Sequence, residues 1–168
     1  SSMRYGHIMR TWVKEGGDEI AVRLLDQAGN VMDLDLAQRI SIDGRTVDSI
    51  GIDQTLIGSD CLVRYSMNEN NQITSLDKPE AGSDYVDADT AQDSNCLTMY
   101  DFSEELIYKS STSMFGDEFC ISSAIVFMVP EDSSVTDSDY YNVVTSSVFT
   151  NDTRYSTSDV EAYNIDKF

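Results

Sequence analysis

Acidic side chains are the most abundant reactive groups in this chain, and two clusters of them are spaced closely enough to act together. Asp84, Asp87 and Asp89 form one, and Asp132, Asp137 and Asp139 the other. Calcium takes six to eight oxygen ligands, so an acidic loop of either kind can supply several. These six aspartates are the candidate metal ligands, and Ca2+ is the one cofactor the sequence raises. Neither cluster follows the EF-hand order. Counting from Asp87, Asp89 fits the third position but Ala91 fills the fifth; counting from Asp137, Asp139 fits and Tyr141 does not. The competing reading is a solvated acidic loop that repels like-charged neighbours.

Tyrosines form the second constellation. Tyr140, Tyr141 and Tyr155, with Tyr163, are concentrated in the second half and are candidate ligand-binding rings of a carbohydrate-binding module. That reading requires at least two rings more than half exposed on one face. Tyrosine also packs well on strands, which is the plainer use of it.

Other chemistry finds little support. Glu104 and Glu105 are adjacent, and neighbours on a strand point to opposite faces, so an acid-only glycoside hydrolase stays an alternative only. His7 is the sole histidine, and no Gly-x-Ser-x-Gly elbow accompanies it. One histidine and three scattered cysteines do not make a zinc site. Cys61, Cys96 and Cys120 show no Cys-x-x-Cys pair and no basic neighbour to lower a thiol pKa. Cys61 and Cys120 read as small core residues on strands, and a Cys96–Cys120 disulfide stays open. We expect no enzyme. Asn151-Asp152-Thr153 matches a glycosylation sequon, which a bacterial origin would make incidental.

The elements that must hold these groups are strands nearly throughout. Tyr5 to Val13, Glu19 to Leu25, Val31 to Leu36 and Arg39 to Val47 read as strands, with turns at Gly16-Gly17, Gly29-Asn30 and Asp43-Gly44. Val31 to Leu36 alternates so cleanly that one face must be wet. Asp53 to Gly58 predicts one helical turn closed by glycine. Leu62 to Ser66 and Gln72 to Leu76 make a second hairpin around Asn68 to Asn71. In the second half, Glu105 to Tyr108, Phe119 to Val129 (one central strand, or two bent at Ser122-Ser123), Tyr140 to Val144 and Val160 to Ile165 read as further strands. The expected fold is therefore all-β: two small antiparallel barrel-like or sandwich-like subdomains with at most one or two short helical turns.

Length and charge bound the rest. The chain has 168 residues, 30 acidic and 11 basic, for a formal charge of −19. Such an excess argues against nucleic acid, which is bound by neutralising phosphates with Lys and Arg, and against anionic membrane surfaces. No apolar run reaches the roughly 20 residues of a membrane-spanning helix. Lys78 to Asp84 contains Pro79 and Gly82 and reads as a linker, giving domains 4–82 and 83–168. The first 82 residues carry 8 basic and 13 acidic side chains, the remainder 3 and 17. Ser1-Ser2-Met3 reads as a tag remnant, and the alternation at Ala162 to Phe168 suggests a piece of a longer polypeptide.

Ile20 to Asp26 with Gly29-Asn30-Val31, and Leu62 to Asn68 followed by Gln72 to Leu76, resemble hairpins of β-rich modules in large cell-surface proteins of Gram-positive Firmicutes. Ala124 to Asp132 and Tyr163 to Asp166 are similar to their companion segment. Such proteins often carry S-layer homology repeats; none is visible here. The resemblance implies an extracellular, structural or adhesion-type module without catalytic residues, its partner a cell-envelope polymer or another surface protein.

Overall fold

Apolar residues recurring at every second position carry the first half into strands whose one face is dry. The computed structural model describes residues 3–80, 105–116, 119–156 and 159–168. Within them the fold is all-β with one short α-helix and a few 3-10 turns. The chain divides into two units, Ser1–Lys78 with Phe127–Asn142, and Pro79–Val126 with Val143–Phe168.

The first unit is a closed barrel. Its strands are β1 (Arg4–Val13), β2 (Ile20–Asp26), β3 (Val31–Ile42), β4 (Arg45–Asp48), β5 (Cys61–Met67) and β6 (Gln72–Asp77), with helix α1 (Gln54–Ile57) between β4 and β5. Five strands close in the order β1-β2-β3-β6-β5 and back to β1, with β4 as an outer hairpin arm on β3. All pairs are antiparallel except β3 with β6, which run parallel. Closure leaves none of the five with two free edges, and it resolves the choice between barrel and sandwich. The interior is filled by Ile8, Val22, Leu24, Leu34, Ile40, Val63, Tyr65, Ile73, Leu76 and Ile57 of α1. Gly6 is required beside Tyr65: a Cβ there would sit 3.0 Å from the Leu25 carbonyl oxygen and 3.1 Å from the Tyr65 ring.

Two expected strands, 31–36 and 39–47, are one strand and a short return. Leu36 and Ala37 are both buried, so the alternation changes phase without a turn, and the pairing with β6 shifts between Leu36 and Ser41. The turn comes at Asp43-Gly44, where both residues have positive φ. The expected helical turn is present: the Asp53 carboxylate accepts from the Thr55 amide at 3.0 Å, and Gly58 closes it with φ of 88°.

The second unit holds a small sheet in the order β12 (Arg154–Ser156), β7 (Glu105–Lys109), β8 (Met114–Phe115), β9 (Phe119–Cys120). Its core is aromatic. Phe115 and Phe149 lie 5.4 Å apart between centroids, with Tyr108 at 5.1 Å and Tyr155 at 5.8 Å from Phe115. Of the two readings of 119–129, one central strand or two strands bent at Ser122-Ser123, the second is found: β9 and β10 (Val126–Met128) are parted at Ser122-Ser123. β10 pairs with β11 (Asn142–Val144), where the chain passes between the units. No strand forms at 160–165. Asn164 accepts from the Asp166 amide and starts a 3-10 turn over Ile165–Lys167, a local bond that competes with extended backbone.

The division between units falls at Lys78/Pro79 rather than at residue 82, and residues 127–142 belong with the barrel. The charge contrast shrinks accordingly, to 8 basic and 16 acidic side chains in the first unit against 3 and 14 in the second.

Candidate functional site

The outer wall of β1, β2 and β3 carries a connected set of charged and aromatic groups, and a bulge creates it. β1 pairs with β2 as Ile8 with Leu24, then skips Met9 and resumes as Arg10 with Arg23. Ile8 points into the barrel, so strict alternation would turn Arg10 and Trp12 inward as well. The extra residue reverses the phase and sends both outward. Arg10, Arg23 and Asp33 then form one cross-strand row, and Trp12, Ala21 and Asp35 the next.

Two guanidinium groups in one row would repel, and the neighbours offset this. Arg23 donates to Asp33 through Nε at 2.7 Å and Nη2 at 3.0 Å. The Arg10 guanidinium sits 4.5 Å from the Trp12 ring centroid and that of Arg23 5.9 Å, both within cation–π range. Hydrogen bonding from Arg23, with the charge of Arg10 beyond, holds the Asp33 carboxyl below the ordinary carboxylate range. Lys14 closes the row beyond Trp12, 3.0 Å from Asp35 and 3.7 Å from Glu19.

Residues 127–142 border this wall. Arg23, Val31 and Asp33 share a shallow, open concavity of about 320 Å³ with Thr136 and Ser138. The segment is tied by its own side chains. Asp132 accepts from the Ser134 amide and hydroxyl, Asp137 accepts from the Asp139 amide, and the Tyr141 hydroxyl donates to the Val135 carbonyl at 2.6 Å. Tyr141 also lies against the barrel, its ring 6.4 Å from that of His7. Burial, then the nearby Asp60 and Asp132, push its hydroxyl pKa up. His7 itself is buried, with Nε2 at 3.3 Å from Asp60 Oδ1.

The sequence-derived site residues scatter. Asp84, Asp87 and Asp89, together with Cys96 and Glu104, lie outside the described residues. Asp132 and Asp137 use their carboxylates as turn caps, and among the described residues no three of His, Cys, Asp and Glu gather into a metal-sized group. Hydrogen bonds from Ser134 keep the Asp132 carboxyl below its usual range. Among the described tyrosines only Tyr140 is largely exposed, at 66%; Tyr141 is buried and Tyr155 packs in the second unit's aromatic core. The two-ring platform therefore does not form from Tyr140, Tyr141, Tyr155 and Tyr163. Cys120 is exposed rather than buried, its Sγ 3.3 Å from the Ser122 hydroxyl, which lowers the thiol pKa. Cys61 is half-buried.

Sequence reasoning passed over Arg10, Arg23 and Asp33. Their signal was the wet face of Val31 to Leu36, which announces an outer surface without saying what stands opposite it. Comparison with family models, with curated proteins and with solved structures finds no match to this chain.

Proposed function

We propose that this chain is a non-catalytic, adhesion-type module of a protein on the outside of a Gram-positive cell, and that it contacts its partner through the outer wall of β1, β2 and β3. The observation that carries the reading is the Trp12–Arg10–Arg23–Asp33 ladder. It is held by backbone pairing on three strands of a closed barrel, so little side-chain freedom is lost when a partner docks. Five-stranded Greek-key barrels bind polymers across their second and third strands, an analogy of fold alone. The resemblance of the β2–β3 and β5–β6 hairpins to Firmicutes surface modules supports the location, and the charge of −19 suits a protein that must not self-associate.

The test is sedimentation of the full chain with purified Gram-positive wall, both peptidoglycan and wall polysaccharide, with the supernatant assayed for reducing ends. Retention that falls on Arg23→Ala, without release of reducing ends, is expected. Steady release of sugar, or no retention on any wall fraction, overturns the reading.

A further inference from the structure

We propose that the concavity between β2, β3 and residues 136–138 is a subsite for one neutral sugar ring, gripped through a vicinal diol. The inference rests on the adhesion reading and gives it a ligand class.

The Arg23–Asp33 pair sets the chemistry. Arg23 spends Nε and Nη2 on Asp33, which leaves the Nη1 hydrogens free to donate. Each Asp33 oxygen retains acceptor capacity beyond the bond it takes, and the Asp33 side chain is half exposed. A donor and an acceptor thus stand side by side on a unit of zero net charge. Two adjacent hydroxyls match it: one accepts from Nη1, and the other donates to the carboxylate as a charge-assisted hydrogen bond. Across the concavity stand Thr136 and Ser138, whose hydroxyls donate and accept alike, and Val31 supplies an apolar contact for the C–H face of a ring.

Charge decides between neutral and anionic ligands. Asp137 and Asp139 flank Ser138, and the chain as a whole carries −19. A phosphate or uronate needs uncompensated positive charge; Asp33 offsets Arg23, and Arg10 lies on the Trp12 ring and does not line the concavity. Size points to a single ring, since about 320 Å³ lies at the lower end of the range for small-molecule sites. The site is also pre-arranged. The bidentate pair fixes one side, and the Asp137 cap with the Tyr141–Val135 bond fixes the turn that carries the two hydroxyls.

Trp12 is the only tryptophan, and its ring lies beside the Arg23 guanidinium, so its fluorescence reports on this site. The full chain is titrated with neutral gluco-, manno- and chito-oligosaccharides, with a galacturonate oligomer and with a fully O-methylated glucan fragment. Saturation transfer from protein to sugar protons serves as a readout independent of Trp12. The expected result is saturable binding of at least one neutral sugar in the millimolar range, none of the methylated fragment, and weaker binding of the acidic one. Asp33→Asn weakens it by roughly tenfold, the worth of one good hydrogen bond to a charged group, and the double variant Thr136→Ala/Ser138→Ala by roughly tenfold, the worth of two neutral ones. Circular dichroism melting of the double variant, both of whose positions are exposed, matches the parent and separates site loss from unfolding. Absence of binding across the neutral panel, stronger binding of galacturonate, or undiminished binding in the double variant overturns the proposal. Wall retention that persists undiminished in both variants removes the subsite and leaves the adhesion reading standing; loss of retention in the unmodified chain removes both.

Discussion

Replacing Ile57 by alanine tests whether the one-turn helix α1 is part of the barrel core or an ornament on it. Ile57 is fully buried while its neighbour Leu56 is 52% exposed, although both lie on a helix of four residues. Ile57→Ala removes three carbons, about 2.4 kcal/mol at roughly 0.8 kcal/mol per buried methylene. The cavity left behind raises the cost into the range of about 2–5 kcal/mol seen for such truncations. The helix cannot easily follow a shrinking core. Asp53 caps its start, and Lys78 grips its end, donating to the Leu56 carbonyl at 2.6 Å while pairing with Asp43 at 3.0 Å. For a unit of roughly 94 residues each kcal/mol moves Tm by about 4–8 °C, so a fall of at least about 10 °C follows. Leu56→Ala stays within about 0.5 kcal/mol. The assay is denaturant or thermal unfolding followed by Trp12 fluorescence, which reports the first unit alone. An Ile57→Ala loss below about 1 kcal/mol, or one matched by Leu56→Ala, refutes the view that α1 plugs the barrel.

Four further outcomes follow from the same geometry. Gly6→Ala lowers stability by about 1–3 kcal/mol, because its new methyl meets the backbone oxygen of Leu25, which cannot rotate away; an unchanged urea midpoint contradicts the close approach. Asp33, with its folded pKa depressed by Arg23, contributes stability that is complete above the ordinary carboxylate range and is lost as pH falls below about 4 through the lowered value. Solvent screening keeps that share under about 1 kcal/mol, so Asp33→Asn flattens the acid limb slightly, and a loss appearing near neutral pH argues against the pairing. Tyr141→Phe deletes the 2.6 Å bond to Val135 and costs about 1 kcal/mol, read as faster amide exchange over residues 134–142, whereas unaltered exchange shows the bond is not what holds the segment. Iodoacetamide alkylates exposed Cys120 faster than half-buried Cys61, and Ser122→Ala slows Cys120 at neutral pH by restoring its pKa; the reverse order of reactivity rejects the assignment.

Much of the barrel was legible in the chain because its signals are local. The alternation in Val31 to Leu36, the Asx turn at Asn68 and the glycine at position 58 each act within a few residues, and each structure appears where the sequence puts it. Three features were not legible: in one a local bond overrides the alternation, and the other two depend on partners distant in the chain. Val160 to Ile165 alternates like a strand, but no strand forms there and Asn164 starts a 3-10 turn over Ile165–Lys167. Residues 127–142 fall within the span read as a separate domain, 83–168, yet the Tyr141 ring lies beside His7, 134 positions earlier in the chain, and the segment counts with the barrel.

The third concerns the site itself. In a period-two pattern one inserted residue exchanges the faces of everything after it. Whether Met9 is paired or bulged is decided by β2 across the ladder, not by β1. The sequence by itself determined that β1 is a strand containing Ile8, Arg10 and Trp12. Only the tertiary pairing decided that Ile8 faces the core while Arg10 and Trp12 face outward to meet Arg23 and Asp33, because a strand's register is a property of two strands and never of one.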